Sequence, residues 1–436
     1  GEEAPFVVVD PVMISTSGHK LISEGTELAM RRHVFPHADL LTPNKFEAEA
    51  LLGRTLDSVA DVEEGAKAIL DMGVKSVLIK GGHTHTSSES DTCTRYAQDY
   101  FLSSEDGADR LCDGGNGVWL RSTRFDTVHT HGTGCTLSSA IASAYAIGHE
   151  AREFKSSSSG ARQAIGIIDA CVMGKAYVTA GIDNALPLGS GPGPVAHTTF
   201  PTESRHYPVI PPLSPLTSVS PFPQINTPSL GKILPIVDTI PDLQRLAALP
   251  LISDIQLRIK NQNSKTITER IIQAQNTCQK HNVRLWVNDH YQQALQVTGV
   301  YGIHLGQEDL LTAVRSGALE DMKRAGVALG LSTHSYAELA VALGVRPSYV
   351  SLGPVFATGS KKVGFAPQGL DTVEEWRGLV GKDTGMPLVV IGGLGDVERV
   401  EQVRRRGADC VAIIGGLVGV EEGLEETVKA FVEAMK

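Results

Sequence analysis

Polar residues cluster at the ends of short apolar runs in the second half of this chain, and their types suit phosphate chemistry. In IQLRIK, Gln256, Arg258 and Lys260 alternate with apolar residues, so an extended backbone turns all three to one face. Two cations and an amide on one face form a phosphate-holding arrangement, because guanidinium and ammonium groups donate charge-assisted hydrogen bonds. A solvated edge strand is the plainer reading of the same run. Asn288 and Asp289 close the next run, and Asp309 follows HLG at the close of another. Asp289 and Asp309, on neighbouring strand ends, are predicted to share one Mg²⁺, which favours a few carboxylates together with phosphate oxygens and water. Singly, each aspartate suits a cap or a turn. FATGSKK then supplies Thr358, Ser360 and Lys361 in a loop, with Lys362 an equal neighbour of Lys361. Hydroxyls and backbone N–H groups there suit a phosphate. Gly392–Gly393 and Gly415–Gly416 end the last two runs, where glycine permits close backbone approach or simply a tight turn.

A second group lies near the start. HTHGTGCT places Gly132 and Gly134 in a turn that opens a long small-residue helix. Such a turn cups anions, and the helix's positive end adds to it. Cys135 in the first helical turn is a candidate base or reactive thiol, with a structural cysteine as the alternative. In TPNKFEAE, Asn44 and Glu47 are three apart, a spacing that suits a metal–water cluster beside nucleotide phosphates or an ordinary helix start after Pro43. Asp10 ends FVVVD and is a candidate for the same site. Lys80, before Gly81–Gly82, is a candidate phosphate contact or a solvent-facing strand end.

The elements that must position these residues fall into two bodies. The 436 residues exceed one core of ordinary size. Half of the 22 prolines lie between residues 187 and 230, which reads as a stiff, solvated linker. After it, eight apolar runs recur: ILPIVD, ISDIQLRI, LWVND, YGIHLG, VALGLS, YVSLGPVF, LVVIGG and CVAIIGG. Helix-like stretches such as TITERIIQAQNTCQKH separate most of them. That alternation predicts a (β/α)8 TIM barrel over 231–436, with an open doubly wound sheet as the rival. Barrel chemistry belongs at strand C-termini, where the polar residues fall. The first body, 1–186, is also α/β: FVVVD and VKSVLIKGG are buried-type strands, and the pattern between Gly82 and Arg124 predicts a hairpin or excursion.

The net charge of −10 counts against a nucleic-acid partner. No run of about 20 apolar residues predicts a membrane span. Six scattered cysteines without a CxxC pair favour a reducing compartment over a disulfide scaffold.

Together these segments resemble a fusion of two families. IQLRIK, WVNDHYQQAL, GIHLGQEDL, GLSTHS, GPVFATGSKK and VVIGGL, in that order, resemble thiamine-phosphate synthase over most of 231–420. VVVDPVM, LLTPNKFEAEALLG, VLIKGGH and THGTGCTLSSAIA resemble the C-terminal part of hydroxymethylpyrimidine/phosphomethylpyrimidine kinase, a ribokinase-like family, over about residues 5–182. The tandem order resembles the bifunctional thiamine-biosynthesis enzymes of plants. The resemblance implies a synthase that joins 4-amino-2-methyl-5-hydroxymethylpyrimidine diphosphate to 4-methyl-5-(2-phosphooxyethyl)thiazole. It implies that Gln256, Arg258, Lys260 and Asn288 hold the pyrimidine diphosphate and that Asp289 and Asp309 bind Mg²⁺. Ser332, Thr358, Ser360 and Lys361 would line the substrate and phosphate sites, with Lys361 assisting the leaving diphosphate. Gly393 would hold the thiazole phosphate. The family's last strand usually ends in a serine, and Gly415 stands in its place, so weaker thiazole-phosphate binding is expected.

For the kinase, the resemblance implies ATP as phosphoryl donor, Gly132, Thr133 and Gly134 as an anion hole, and Cys135 beside the attacking hydroxyl. Asn44 and Glu47 would organise Mg²⁺–ATP, with Lys80 nearby. The family carries a further stretch before VVVDPVM, including much of its pyrimidine pocket, so this body is expected to be N-terminally truncated and its kinase activity impaired. The partners implied are small phosphorylated substrates, with homo-oligomerisation left open. The plant-like order favours a chloroplast stroma over the cytoplasm. A non-catalytic sensor or scaffold that binds thiamine precursors is the rival from a different class.

Overall fold

The computed structural model describes all residues except 1–4, 14–20, 82–95, 105–116, 154–164, 213–218, 226–229, 261, 359–365, 382–383 and 421. The chain divides into two compact units, the first ending near Ser218 and the second running from Val219 to Lys436.

The first unit is an open five-stranded sheet in the order β1 (Val8–Val9), β2 (Leu40–Leu41), β3 (Ser76–Lys80), β4 (Tyr96–Ser103) and β5 (Val118–Thr123). The first three strands are parallel, whereas β3–β4 and β4–β5 are antiparallel, so the expected hairpin is present. Side-chain alternation divides β3 between two layers. Val77 and Ile79 pack into a core with Phe35, Leu51 and Ile69 from the Glu24–His33, Lys45–Leu52 and Val59–Leu70 side of the sheet. Leu78 and Lys80 point the other way. Asp99, opposite Lys80 in the register, shares that face and is ion-paired by Lys175 of the helix Ile167–Asp183. That helix is buried almost all round, and it crosses the helix Thr133–Glu153 where Gly174 leaves room for Ile141. A Cβ on Gly174 would lie 2.6 Å from Ile141 Cγ1.

The second unit is a closed parallel barrel. Its strands are β6 (Ile233–Val237), β7 (Asp254–Leu257), β8 (Arg284–Asn288), β9 (Gly302–Leu305), β10 (Ala328–Thr333), β11 (Tyr349–Leu352), β12 (Leu388–Ile391) and β13 (Cys410–Ile413). Each of the eight apolar runs contains one strand, and β13 pairs with β6 to close the ring. The open-sheet rival is therefore excluded, and β7, between β6 and β8, is no edge strand.

Large rings fill the interior over glycines on the neighbouring strand. Trp286 lies across Gly302, and Tyr349 lies across Gly330. A Cβ would sit 2.4 Å from the Trp286 ring at Gly302 and 2.2 Å from the Tyr349 ring at Gly330. The two rings meet edge to face, with centroids 4.9 Å apart. Beneath them a fully buried Asp254 accepts from Arg284 Nη2 (2.6 Å), Trp286 Nε1 (3.0 Å), Gly231 N (2.9 Å) and Ser253 Oγ (2.9 Å). This knot closes the N-terminal end of the barrel and leaves the opposite end for a ligand.

The segment 187–230 is not solvated throughout, contrary to the expectation from its prolines. Val195 N donates to His131 O at 3.1 Å, and Arg121 and Val209 exchange backbone hydrogen bonds. Val219, Phe222, Ile225 and Leu230 are buried, and Phe222 N donates to Arg346 O. Buried residues such as Val195, Phe222 and Ile225 are interspersed with exposed Leu188 and Phe200, so no periodicity betrays the packing.

Candidate functional site

At the C-terminal end of the barrel strands lies a cavity of ≈ 330 Å³. Its wall has two chemically distinct arcs. On five consecutive strands, β7 to β11, the inward side chains are Gln256, Asn288, His304, Ser332 and Ser351. On the remaining three, β12, β13 and β6, they are Val389, Ile391, Ala412, Leu234 and Ile236. The polar arc is internally bonded. His304 reaches Tyr349 Oη through Nδ1 and Ser332 Oγ through Nε2, both at 2.8 Å. His304, Gly330 and Tyr349 are in register on β9, β10 and β11, so the missing side chain at Gly330 lets the Tyr349 ring cross to His304. Burial holds the Tyr349 hydroxyl well above its ordinary pKa, so it stays protonated. Gln307 Nε2 donates to Ser332 O at 2.7 Å and fixes the base of the β10 loop.

Gln256, Arg258, Asn288, Ser332, Thr358, Gly393 and Gly415 all line this cavity. Lys260 does not: β7 ends at Leu257, Arg258 N still donates to Val237 O, and Lys260 beyond it is exposed. Ser360, Lys361 and Lys362 lie outside the described residues. Gly392 and Gly393 both adopt left-handed backbone, with φ of 101° and 70°. A Cβ at either would stand within 2.6 Å of Pro354 or Phe356, so glycine is required there by both conformation and contact. Gly415 is exposed in the turn after β13. Sequence reasoning missed His304, Tyr349, Ser351, His334 and Arg399 on the same wall.

Asp289 directly follows β8, whereas Asp309 lies in the first turn of the helix Gln307–Arg315 after β9. Asp289 has a left-handed backbone (φ 65°), and its N–H donates to His304 O at 2.9 Å. Burial, then the Asp289 charge and a hydrogen bond to its carboxyl, push the Asp309 carboxyl up to about 6. Two acids held together in this way form a donor pair for a cation. Among the described residues no three His, Cys, Asp or Glu side chains group to hold a metal ion.

In the first unit four of the predicted residues converge. Lys80 Nζ lies 2.8 Å from Asp10 Oδ1, and a Cβ on Gly134 would meet Asp10 Oδ2 at 3.2 Å and Lys80 Nζ at 3.5 Å. Glu47 is buried beside them, and desolvation raises its carboxyl above the usual range despite Asn44 N–H and Lys80. Asn44 and Glu47 make a capping box: Asn44 N donates to Glu47 Oε2 (2.7 Å) and Glu47 N to Asn44 Oδ1 (2.9 Å). Their three-residue spacing is thus the start of the helix Lys45–Leu52. Gly132 is left-handed (φ 84°) ahead of Thr133, the first residue of the long helix. Cys135 is exposed in its first turn, whereas Cys171, Cys278 and Cys410 are buried. Gly193 N donates to His129 Nδ1 at 2.9 Å and so clamps the approach to this turn.

Comparison with known proteins assigns the two units separately. Residues 2–196 match the family described as phosphomethylpyrimidine kinase, and residues 236–417 match thiamine monophosphate synthase. The thiamine-phosphate synthase of Yersinia pseudotuberculosis serotype O:1b is 38% identical over 185 residues, 42% of this chain and 81% of that protein. The chain belongs to the thiamine-phosphate synthase family. The synthase of Neisseria meningitidis serogroup B is 36% identical over 211 residues, 48% of this chain and 96% of its own. Among solved structures, the synthase domain is similar to a thiamine phosphate pyrophosphorylase from Pyrococcus furiosus: 20% identity, TM-score 0.39, 47% of this chain and 95% of that one. The other unit is similar to a Staphylococcus aureus pyridoxal kinase solved with ADP: 28% identity, TM-score 0.34, covering 45% of this chain. The chain spans 59% of that kinase's length. The protein is thus a fusion of a phosphomethylpyrimidine-kinase-like domain with a thiamine-phosphate synthase barrel. No described helix is long and apolar enough to cross a membrane.

Proposed function

We propose that the barrel condenses 4-amino-2-methyl-5-hydroxymethylpyrimidine diphosphate with 4-methyl-5-(2-phosphooxyethyl)thiazole, forming thiamine phosphate and releasing diphosphate. The observation that carries this reading is one cavity wall shared by Gln256, Arg258, Asn288, Ser332 and Thr358, beside the Asp289–Asp309 pair. The polar arc suits the ring nitrogens and amino group of a pyrimidine, and the apolar arc suits ring faces. Arg258 binds the diphosphate, with Lys260 and Lys361 as further cations from the loops. The carbon–oxygen bond breaks, diphosphate leaves with the electron pair, and the thiazole nitrogen adds its lone pair to the methylene carbon. Lys361 assists the departure. Asp289 and Asp309 would hold one Mg²⁺, which when bound supplies positive charge to the leaving diphosphate. The remaining work of the site is to exclude water and hold the nucleophile close.

For the first domain, expected to be truncated and impaired, we infer the phosphoryl-transfer side of an ATP-dependent hydroxymethylpyrimidine (phosphate) kinase. The Gly132–Thr133–Gly134 turn cups the transferring phosphoryl group, Lys80 contacts phosphate, and Cys135 lies beside the attacking hydroxyl. Asn44 and Glu47 act at the ATP side, Glu47 through any Mg²⁺ that accompanies the nucleotide.

The test is one assay with two inputs. Purified protein receives the thiazole phosphate and Mg²⁺ with either the pyrimidine diphosphate, or the pyrimidine monophosphate and ATP. Product is read as thiochrome fluorescence. Thiamine phosphate in the first tube, abolished by a chelator and restored by Mg²⁺, is the expected result for the barrel. Product in the second tube is the expected result for the kinase-like domain. A folded protein that binds the precursors and makes no product would be a sensor.

A further inference from the structure

Of the described side chains that line the barrel cavity, two carry a full positive charge, Arg258 and Arg399. They stand on different sides. Arg258 follows β7, and Arg399 lies in the first turn of the helix Val397–Arg405 after β12, with β13 and β6 between those strands in the ring. The Arg399 guanidinium is held in place from three directions. Nη1 donates to Gly393 O at 2.8 Å, Nε lies 3.4 Å from Asp396 Oδ2, and Cζ stands 5.1 Å from the Phe356 ring centroid. Asp396 is itself engaged as the helix cap, accepting from Arg399 N at 2.9 Å.

Gly392, Gly393, Gly395, Gly415 and Gly416 line the cavity, and Gly393 touches Arg399 through its carbonyl. Those residues present backbone but no side-chain donor to an anion. A guanidinium carries five N–H donors in a fork that matches phosphate oxygens, and these anchors leave part of the fork available. We propose that Arg399 is the residue that receives the phosphate of the thiazole substrate. It thereby sets this enzyme's preference for the phosphorylated thiazole over the free alcohol, supplying in this chain the side-chain donor that Gly415 lacks. The assignment rests on the reading of the barrel given above. The two guanidiniums then divide the two anionic ends of the reaction between them, Arg258 for the diphosphate and Arg399 for the monophosphate.

The experiment compares the full chain with Arg399→Ala and Arg399→Lys. The thiazole phosphate and the thiazole alcohol are each varied at saturating pyrimidine diphosphate, and direct binding of both is followed by calorimetry. Arg399→Ala is expected to raise KM and Kd for the thiazole phosphate by about 10- to 100-fold, the range of a charge-assisted hydrogen bond. It should leave the alcohol's constants and the pyrimidine KM within about twofold, the scale of a change that touches neither ligand. Arg399→Lys should recover part of the loss. An unchanged thiazole-phosphate KM and Kd would overturn the assignment. So would equal losses for phosphate and alcohol, since Arg399 would then merely brace the Gly393 loop. If wild-type protein makes no thiamine phosphate, the proposed condensation fails. Calorimetry then still decides the Arg399 assignment, by whether phosphate binding depends on it.

Discussion

Lys80 and Asp10 form an ion pair at 2.8 Å immediately beside Gly134, the last glycine of the HGTG turn. The pair joins the end of β3 to the end of β1, and both side chains are largely buried, at 16% and 12% exposure. Lys80→Met leaves the Asp10 carboxylate without its partner. It should destabilise the kinase-like domain by about 1–3 kcal/mol, as expected for an orphaned, largely buried charge. Calorimetric unfolding would register this as a lower midpoint for one of two transitions. A loss below about 0.5 kcal/mol, typical of a surface substitution, would mean the pair is solvated in solution.

Asp254 predicts a barrel that depends on one carboxylate far from its chemistry. Asp254→Ala removes the acceptor for Arg284, Trp286, Gly231 and Ser253 together. The loss should be about 3–5 kcal/mol, as for breaking a buried charge pair. Denaturant unfolding measures it. The fraction that remains folded should keep the wild-type KM for both substrates, because the knot lies at the opposite end of the strands from the cavity.

Gly302→Ala and Gly330→Ala each place a methyl group inside an aromatic ring's space. Overpacking of this kind costs about 1–3 kcal/mol or more. Gly317 supplies the control: it is left-handed (φ 76°) with nothing within 4 Å of its Cβ position. Gly317→Ala should therefore cost only backbone strain, about 1 kcal/mol. Equal melting temperatures for all three variants would refute the packing argument.

Among the four described cysteines, native protein should be alkylated at Cys135 alone. Burial pushes the Cys278 thiol up to about 12 and the Cys410 thiol well above its ordinary value, so neither offers thiolate at neutral pH. Peptide mass spectrometry after iodoacetamide, with and without denaturant, checks the order. Labelling of Cys278 in native protein would show that its helix opens readily.

Gly415→Ser restores a hydroxyl on the exposed turn beside Gly416. A hydrogen bond to a charged phosphate is worth about 1.5–3 kcal/mol, so the thiazole-phosphate KM should fall by roughly tenfold or more. An unchanged KM would overturn the expectation that Gly415 weakens thiazole-phosphate binding.

The barrel was legible because its strands are short, evenly spaced and apolar, and polar strand ends such as Gln256 and Asn288 stand out against them. The inward set was only partly legible. A parallel strand buried on both faces shows no alternation, so YVSL does not reveal that Tyr349 and Ser351 face the cavity. The trace that existed was glycine inside strands: Gly302 and Gly330 mark where a ring from the next strand must cross. Arg399 was hidden for a different reason, since a first-turn arginine in DVERVEQVRRRG reads as surface charge. In the kinase-like domain the Asn44–Glu47 spacing admitted two readings; the capping box shows the helix start, and Glu47 also stands beside Lys80 and Asp10. Lys260 lies in the loop and not on the strand face; the strand alternation was carried past the point where β7 stops.

The unequal wall of the barrel cavity bears on how a flat heterocycle docks. A flat heterocycle that entered upside down would press its amino group against Ile391 and Ala412 and turn its bare edge to Gln256 and Asn288. Stranded polar groups on both sides would disfavour that pose by several kcal/mol in all. On the proposed reading, the orientation of the pyrimidine ring is therefore chosen at docking, before any bond breaks. An inhibitor that mirrored this asymmetry would need to match the lay of the wall more than its volume.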